Sequence, residues 1–294
     1  MAVVPDFRAK LSLPLIAAPM SGVSSPELVT EACLAGIVGA FPTRNCRTLE
    51  ELDQWLANIQ AARRQAEAEG KPSGLLSANL VIRGNNRLAE DIQAIIRHGV
   101  DFVITSVGSP KEFVAPLHDA GISVFADVAS MHHAHRALEA GVDGLVLLSA
   151  GAGGHTGWAN GFAFTRAVRA EYDGPVVMAG GISDGTALWA AIVLGCNLAY
   201  MGTKFIATHE SAASDAYRHK LTEISFDEIE LGMAPNGVAA STIRGGPGSA
   251  GHSVSGVRRI MSVREVVAET AAEWNAARAA TAAALGQQSV GVSV

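Results

Sequence analysis

The sequence predicts an α/β protein: a closed (β/α)₈ barrel followed by a C-terminal helical and loop extension. Three observations carry that expectation. Short, mostly apolar runs alternate with longer helical stretches through eight cycles, the pattern of a parallel sheet covered by helices. Glycine stands just beyond several helical stretches, at Gly36, Gly70, Gly99, Gly121, Gly141 and Gly195, where a left-handed residue stops a helix and turns the chain into the next strand. With 49% hydrophobic and 17% charged residues, 31 Gly and 11 Pro, the 294-residue chain can bury a large core joined by tight turns. Eight units suit a barrel of about 250 residues, whereas a doubly wound sheet usually has fewer strands.

Taken in order, the expected strands are Leu15 to Ala18, Ile37 to Phe41, Leu75 to Leu80, Phe102 to Thr105, Ser123 to Ala126, Gly144 to Leu148, Val176 to Ala179 and Leu198 to Met201. All are short and mostly apolar on both faces, as strands buried on both sides are. The helices between them are Ser25 to Ala35, Leu49 to Glu69, Leu88 to His98, Lys111 to Ala120, Met131 to Ala140, Phe162 to Glu171 and Thr186 to Leu194. Beyond Phe205 the pattern breaks into a helix near Ala212 to Thr222, a Gly/Ser-rich loop from Asn236 to Gly256 and an Ala-rich helix from Val263 to about Leu285. The expected organisation is therefore one domain over residues 1–294. The barrel takes about 11–210, the helical cap and extension about 211–286, and a loose tail 287–294.

Charge and leader signals narrow the function classes. A net charge of −6 without a basic run gives nucleic acid or an anionic membrane little to attract. Neither an apolar leader nor an eighteen-residue apolar run is present, so a cytoplasmic protein is expected. Cys33, Cys46 and Cys196 are too few and scattered for a disulfide framework or a metal site. His132, His133 and His135 point to different faces of a predicted helix, which suits solvent better than a metal. The stretch Gly246-Pro-Gly248-Ser-Ala-Gly251 matches a dinucleotide fingerprint by letter, but no strand is expected before it and Pro247 lacks an amide.

Chemistry in such a barrel belongs to the loops after the strands. After the sixth strand runs Ser149-Ala-Gly-Ala-Gly-Gly-His155-Thr-Gly157. Its glycines Gly153, Gly154 and Gly157 admit a planar ligand or another backbone, and His155 supplies a group that moves protons near neutral pH. A tight turn with a solvated histidine is the competing reading. After the seventh and eighth strands, Gly180, Gly181, Gly202 and Thr203 can present amides and a hydroxyl to a phosphate. Lys204 either adds charge there or points away. The shelf Ala17-Ala18-Pro19-Met20-Ser21-Gly22 after the first strand otherwise reads as a turn into a helix capped by Ser24 or Ser25.

Together, Pro14-Leu-Ile-Ala-Ala-Pro-Met20, Ala78-Asn79-Leu80, Gly151-Ala-Gly-Gly-His155-Thr-Gly157, Gly180-Gly-Ile-Ser-Asp-Gly185 and Met201-Gly-Thr-Lys-Phe205 resemble the nitronate monooxygenase (2-nitropropane dioxygenase) family. The resemblance runs from about residue 11 to 210 and implies an FMN-binding TIM barrel. It further implies oxidation of propionate 3-nitronate or alkyl nitronates by O₂ without NAD(P)H. On this reading Ala18, Pro19 and Met20 lie beside the isoalloxazine ring, Asn79 hydrogen-bonds the flavin, and Gly180, Gly181, Gly202 and Thr203 hold its phosphate. Ala150, Gly153 and Gly154 line the cofactor, and His155 falls on the family's active-site histidine. Asp127 departs from the pattern, standing among the cofactor contacts where several relatives carry Lys. A carboxylate there would repel negative charge on the reduced ring.

The same motifs resemble flavin-dependent enoyl-thioester reductases and CoA-ester oxidoreductases, which NAD(P)H would reduce. Trp158 either walls a larger substrate pocket or packs under its loop. A flavin-binding barrel without turnover predicts bound ligand and no reduction, and an aldolase-like barrel would need a strand-end Schiff-base lysine that the chain lacks. The expected partners are a small-molecule substrate and O₂. The acidic charge and Ala-rich helices permit a homodimer without requiring one.

Overall fold

The computed structural model of the chain describes residues 7–234 and 237–288. Its strands are β1 (Leu15–Ala17), β2 (Val38–Pro42), β3 (Leu76–Val81), β4 (Phe102–Ser106), β5 (Ser123–Val128), β6 (Gly144–Leu148), β7 (Gly154–His155), β8 (Val176–Ala179), β9 (Leu198–Met201), β10 (Ile229–Met233) and β11 (Ala239–Ile243). Eight of them pair in parallel in the order β1-β2-β3-β4-β5-β6-β8-β9, and β9 returns to β1 with Ile16 opposite Tyr200, closing the TIM barrel. The helices are α1 (Phe7–Lys10), α2 (Pro26–Leu34), α3 (Leu49–Ala68), α4 (Leu88–His98), α5 (Lys111–Asp119), α6 (Met131–Glu139), α7 (Gly161–Arg169), α8 (Gly185–Val193), α9 (Thr203–Ile206), α10 (Asp215–Glu223) and α11 (Val263–Gln288).

Two apolar layers hold this arrangement. Inside the barrel, Ile16, Val38, Ala40, Leu75, Phe102, Ile104, Phe125, Val146, Val177 and Leu198 form one packed cluster. Phe102 and Phe125 meet there with ring centroids 5.1 Å apart. Gly144 makes room for them, since a Cβ at that position would lie 2.7 Å from the Phe125 ring. Outside, the alternate strand residues pack against the helices in a larger cluster. Helix starts follow side-chain capping: Ser25, Thr48, Ser130, Asn160 and Asp184 each accept a backbone N–H in the first turn of the helix that follows. Of the two serines considered for α2, Ser25 is the cap, and Ser24 instead accepts the Met20 amide at 3.0 Å.

The departures lie after the barrel and within one loop. The stretch expected as loop from Asn236 contains β11, which pairs antiparallel with β10 and, on its other edge, with β7. A strand therefore does precede Gly246-Pro-Gly248. It is an antiparallel strand followed by a short 3₁₀ turn, so the phosphate-facing helix that a dinucleotide fingerprint needs is missing there. Helix α11 runs on through Gln288, past the point where a loose tail was expected, and the rest of that tail lies outside the described residues. No helix among the described residues is long and apolar enough to cross a membrane.

Candidate active site

At the C-terminal ends of the barrel strands opens a cleft of about 610 Å³, within the range of roughly 300–1,000 Å³ typical of ligand pockets. The loops that sequence reading singled out converge on it. Ala18, Pro19 and Met20 after β1, Asn79 in β3, Asp127 in β5, Gly153, Gly154 and His155 around β7, Gly180 and Gly181 after β8, and Gly202 and Thr203 after β9 all line its walls. Ala150 does not. It is exposed outside the cleft with its amide given to Ala159 O at 2.8 Å, so the turn that starts the loop faces it away from the ligand space.

The loop carrying His155 is fixed by its own hydrogen bonds. Thr156 Oγ1 donates to Ser149 O at 2.8 Å, Ser149 Oγ donates to Ala179 O at 2.8 Å, and Ala152 N donates to Ser149 O at 3.1 Å. The glycines serve backbone approach. A Cβ on Gly153 would sit 2.6 Å from Gly251 N, and one on Gly251 would sit 2.4 Å from Gly151 O. Two loops far apart in the chain therefore press backbone to backbone. His155 itself stands in β7 opposite Ala240 of β11, so its position is set by the hairpin as well as by its own loop. Partial burial, and secondarily the charge of Arg44, hold its pKa below the usual imidazole value, which leaves the ring neutral at pH 7.

The floor of the cleft carries four polar side chains, Asn79, Ser106, Asp127 and Tyr200, among apolar ones. Asn79 Nδ2 donates to Ile104 O at 3.1 Å and to Ser106 Oγ at 3.3 Å, which fixes the amide. Asp127 is partly exposed as a residue, yet its Oδ1 is closed off from solvent and has no partner. Burial raises its pKa to about 7. The Tyr200 hydroxyl is likewise buried and unpaired, and burial together with the neighbouring Asp127 charge raises its pKa well above the ordinary value. Unpaired buried polar atoms cost stability, and both residues line the cleft.

Of the phosphate-type turns, Gly180 is packed, a Cβ there lying 2.6 Å from Ser149 Oγ, whereas Gly181 and Gly202 leave room. Gly181 has φ +76°, a conformation other residues reach with strain, and nothing lies within 4 Å of where its Cβ would be. At Gly202 the nearest atoms to a Cβ would be Ala18 Cβ at 3.6 Å and Met20 Sδ at 3.7 Å. Thr203 Oγ1 accepts the Gly251 amide at 3.0 Å, which leaves its own proton to donate. Lys204 points away from the site, its buried ammonium lying 3.0 Å from Glu269 Oε1 on α11. Trp158 is 82% exposed and outside the cleft, so it neither walls the pocket nor packs beneath the loop.

Sequence reading missed several lining residues: Arg44, Tyr200, Tyr217, Met233 and Thr242 among them. For Arg44 and Tyr200 the available signal was position, since each lies in or just past a barrel strand. The others come from the extension and carried none.

The motifs, the barrel and the converging loops agree with comparison to known proteins. A family profile described as nitronate monooxygenase matches residues 76–247. A nitronate monooxygenase of Paraburkholderia phytofirmans is 29% identical over 71% of this chain and 67% of its own length. An octahydro-indene-carboxyl-CoA dehydrogenase of Rhodococcus jostii is also 29% identical, over 70% of this chain and 56% of its own length. The chain thus spans between about half and two thirds of these relatives. The solved nitroalkane oxidase of Streptomyces ansochromogenes superposes with a TM-score of 0.80 at 23% identity, covering 93% of this chain and 99% of that one. Because the profile takes in the His155 loop and both glycine turns over more than half the sequence, the chain belongs to the nitronate monooxygenase family.

Proposed function

We propose that the protein is an FMN-dependent oxidoreductase that oxidises small nitronates with O₂. The observation that carries this is the convergence on one cleft of the His155 loop, the Asn79, Asp127 and Tyr200 side chains and the glycine turns at Gly181 and Gly202. A flavin ring has a polar edge suited to the polar side chains of the floor and an apolar body suited to Ala18, Pro19 and Met20. The space over Gly181 and Gly202 accepts a phosphate, with the Thr203 hydroxyl as donor. When bound, FMN supplies the electron acceptor for the carbon being oxidised and passes the electrons to dioxygen.

The chain's own part is binding, orientation and proton handling. A nitronate already carries the carbanion equivalent, so His155 has no proton to remove and serves by hydrogen-bonding the nitro oxygens. Toward a neutral nitroalkane the same unprotonated ring is a base for the α-carbon, and the depressed pKa favours that role over a cationic one. The equal resemblance to a CoA-ester dehydrogenase supports a second reading, oxidoreduction of an acyl-thioester on the same cleft.

The deciding experiment records the absorbance of protein loaded with FMN and adds propionate 3-nitronate or NADPH anaerobically. Bleaching by the nitronate alone is expected. Bleaching by NADPH alone would move the assignment to the thioester reading, and a protein that takes up no FMN would remove both.

A further inference from the structure

The cleft has a chemically distinct entrance. Among the described residues lining it, Arg44 is the only lysine or arginine and Asp127, deep in the floor, the only acid. Arg44 sits in the 3₁₀ turn Thr43–Asn45 immediately after β2, and its side chain is exposed. Three features make this a built position rather than a stray surface charge.

First, the turn is clamped from both sides. Asn45 Nδ2 donates to Met20 O at 3.0 Å and Ser24 O at 2.9 Å, and Asn45 Oδ1 accepts the Gly22 amide at 3.0 Å, tying the turn to the shelf beside the cleft. On the other side Arg87 Nη2 donates to Thr43 O at 3.3 Å and Cys46 O at 3.1 Å, while its Nε is held by Asp91 at 2.6 Å. Second, the remaining salt bridges of this region are made by other residues: Asp91 goes to Arg87, and no carboxylate among the described residues is paired with Arg44. Third, its charge reaches the reaction centre, because it helps depress the pKa of His155. A guanidinium fixed at its base, facing a cleft and lacking a carboxylate of its own matches a planar anion on a ligand.

We infer that Arg44 is a specificity-determining residue: it receives an anionic group at the far end of a substrate whose reacting carbon lies at His155. The inference rests on the oxidoreductase reading above and adds the substrate's charge class. The anion is a carboxylate of a short substrate or, if the substrate is a thioester, a phosphate of its carrier. Both are recognised by the same guanidinium, and the test separates them. An anion bound there also offsets the field that Arg44 exerts on His155, so ligation and the protonation of the imidazole are linked.

The test titrates FMN-loaded wild type, Arg44→Gln and Arg44→Lys with 3-nitropropionate, with 1-nitrobutane as an uncharged molecule of similar size, and with coenzyme A, following binding by calorimetry. In the wild type 3-nitropropionate is expected to bind more tightly than 1-nitrobutane. Arg44→Gln should weaken 3-nitropropionate about tenfold, the scale of one charge-assisted contact at a solvent-facing site. 1-Nitrobutane should be unchanged, and Arg44→Lys should recover part of the loss. An Arg44-dependent loss confined to coenzyme A supports the inference with phosphate as the anion. Equal weakening of charged and uncharged ligands, or of none, overturns it while FMN uptake stands. A wild type that takes up no FMN overturns the oxidoreductase reading and, with it, this inference, so the two failures are read from different samples.

Discussion

His155 and Asp127 are two titratable groups that burial pushes in opposite directions, one toward the neutral base and the other toward the neutral acid. Because the folded pKa of His155 lies below the usual value of about 6.5, a rate that needs the neutral ring should hold level through neutral pH and fall only on the acid side. Replacing it with Ala should leave FMN bound, lower turnover by roughly 100-fold and remove that acid limb. A pH profile of kcat/KM for a nitroalkane, set beside FMN content, checks both. For Asp127 the sign runs the other way. Its folded pKa of about 7 exceeds the unfolded value of 3.8, so between these values the folded state binds more protons than the unfolded one. Stability of the cofactor-free protein should therefore decline as pH rises from about 4 to about 7 and level off above. Asp127→Asn should remove that decline, as chemical unfolding across the pH range will show. Burial leaves the carboxylate that sequence reading expected to repel charge about half protonated at pH 7 and more so below it.

At the scale of elements, the barrel strands were legible because each is an apolar run closed by turn residues, and Gly144–Leu148, Val176–Ala179 and Leu198–Met201 occur as read. Others shifted by a residue or two, as with Val38–Pro42, since a strand's end depends on its neighbours' register. Strands β7, β10 and β11 were not legible. β7 has two residues, and four of the five residues of β10 are exposed, so no alternation marks the buried face. The β7–β11 pairing is a tertiary event between distant segments. The expectation that the His155-loop glycines admit another backbone holds at Gly153, which serves the approach of Gly251. Gly153→Ala should destabilise the protein by about 1–3 kcal/mol, as overpacking does, and slow turnover by displacing His155. Comparing the denaturation midpoint with the rate on saturating nitronate measures both effects.

For the molecule as a whole, the C-terminal helix is a girder rather than an appendage. α11 packs along α8, where the Gly185 amide donates to Glu273 Oε2 at 2.9 Å, and it supplies Glu269 to the buried ammonium of Lys204. Removing Glu269 leaves that ammonium without its closest counter-charge. Glu269 is itself partly exposed and also meets Arg259, so the cost of Glu269→Ala falls between that of surface and buried pairs, about 2 kcal/mol. A lower denaturation midpoint at unchanged slope is the expected result.

The strand pairing of Ala240 with His155 joins residues 85 positions apart in sequence, and it gives the site a history as well as a shape. All eight barrel strands are complete in sequence by Met201, 38 residues before β11 begins at Ala239. During vectorial synthesis the barrel strands precede the hairpin, so His155 is held at first by the hydrogen bonds of its own loop alone. The emergence of Ala239–Ile243 then seats the histidine, so the chain becomes a scaffold before it becomes a site.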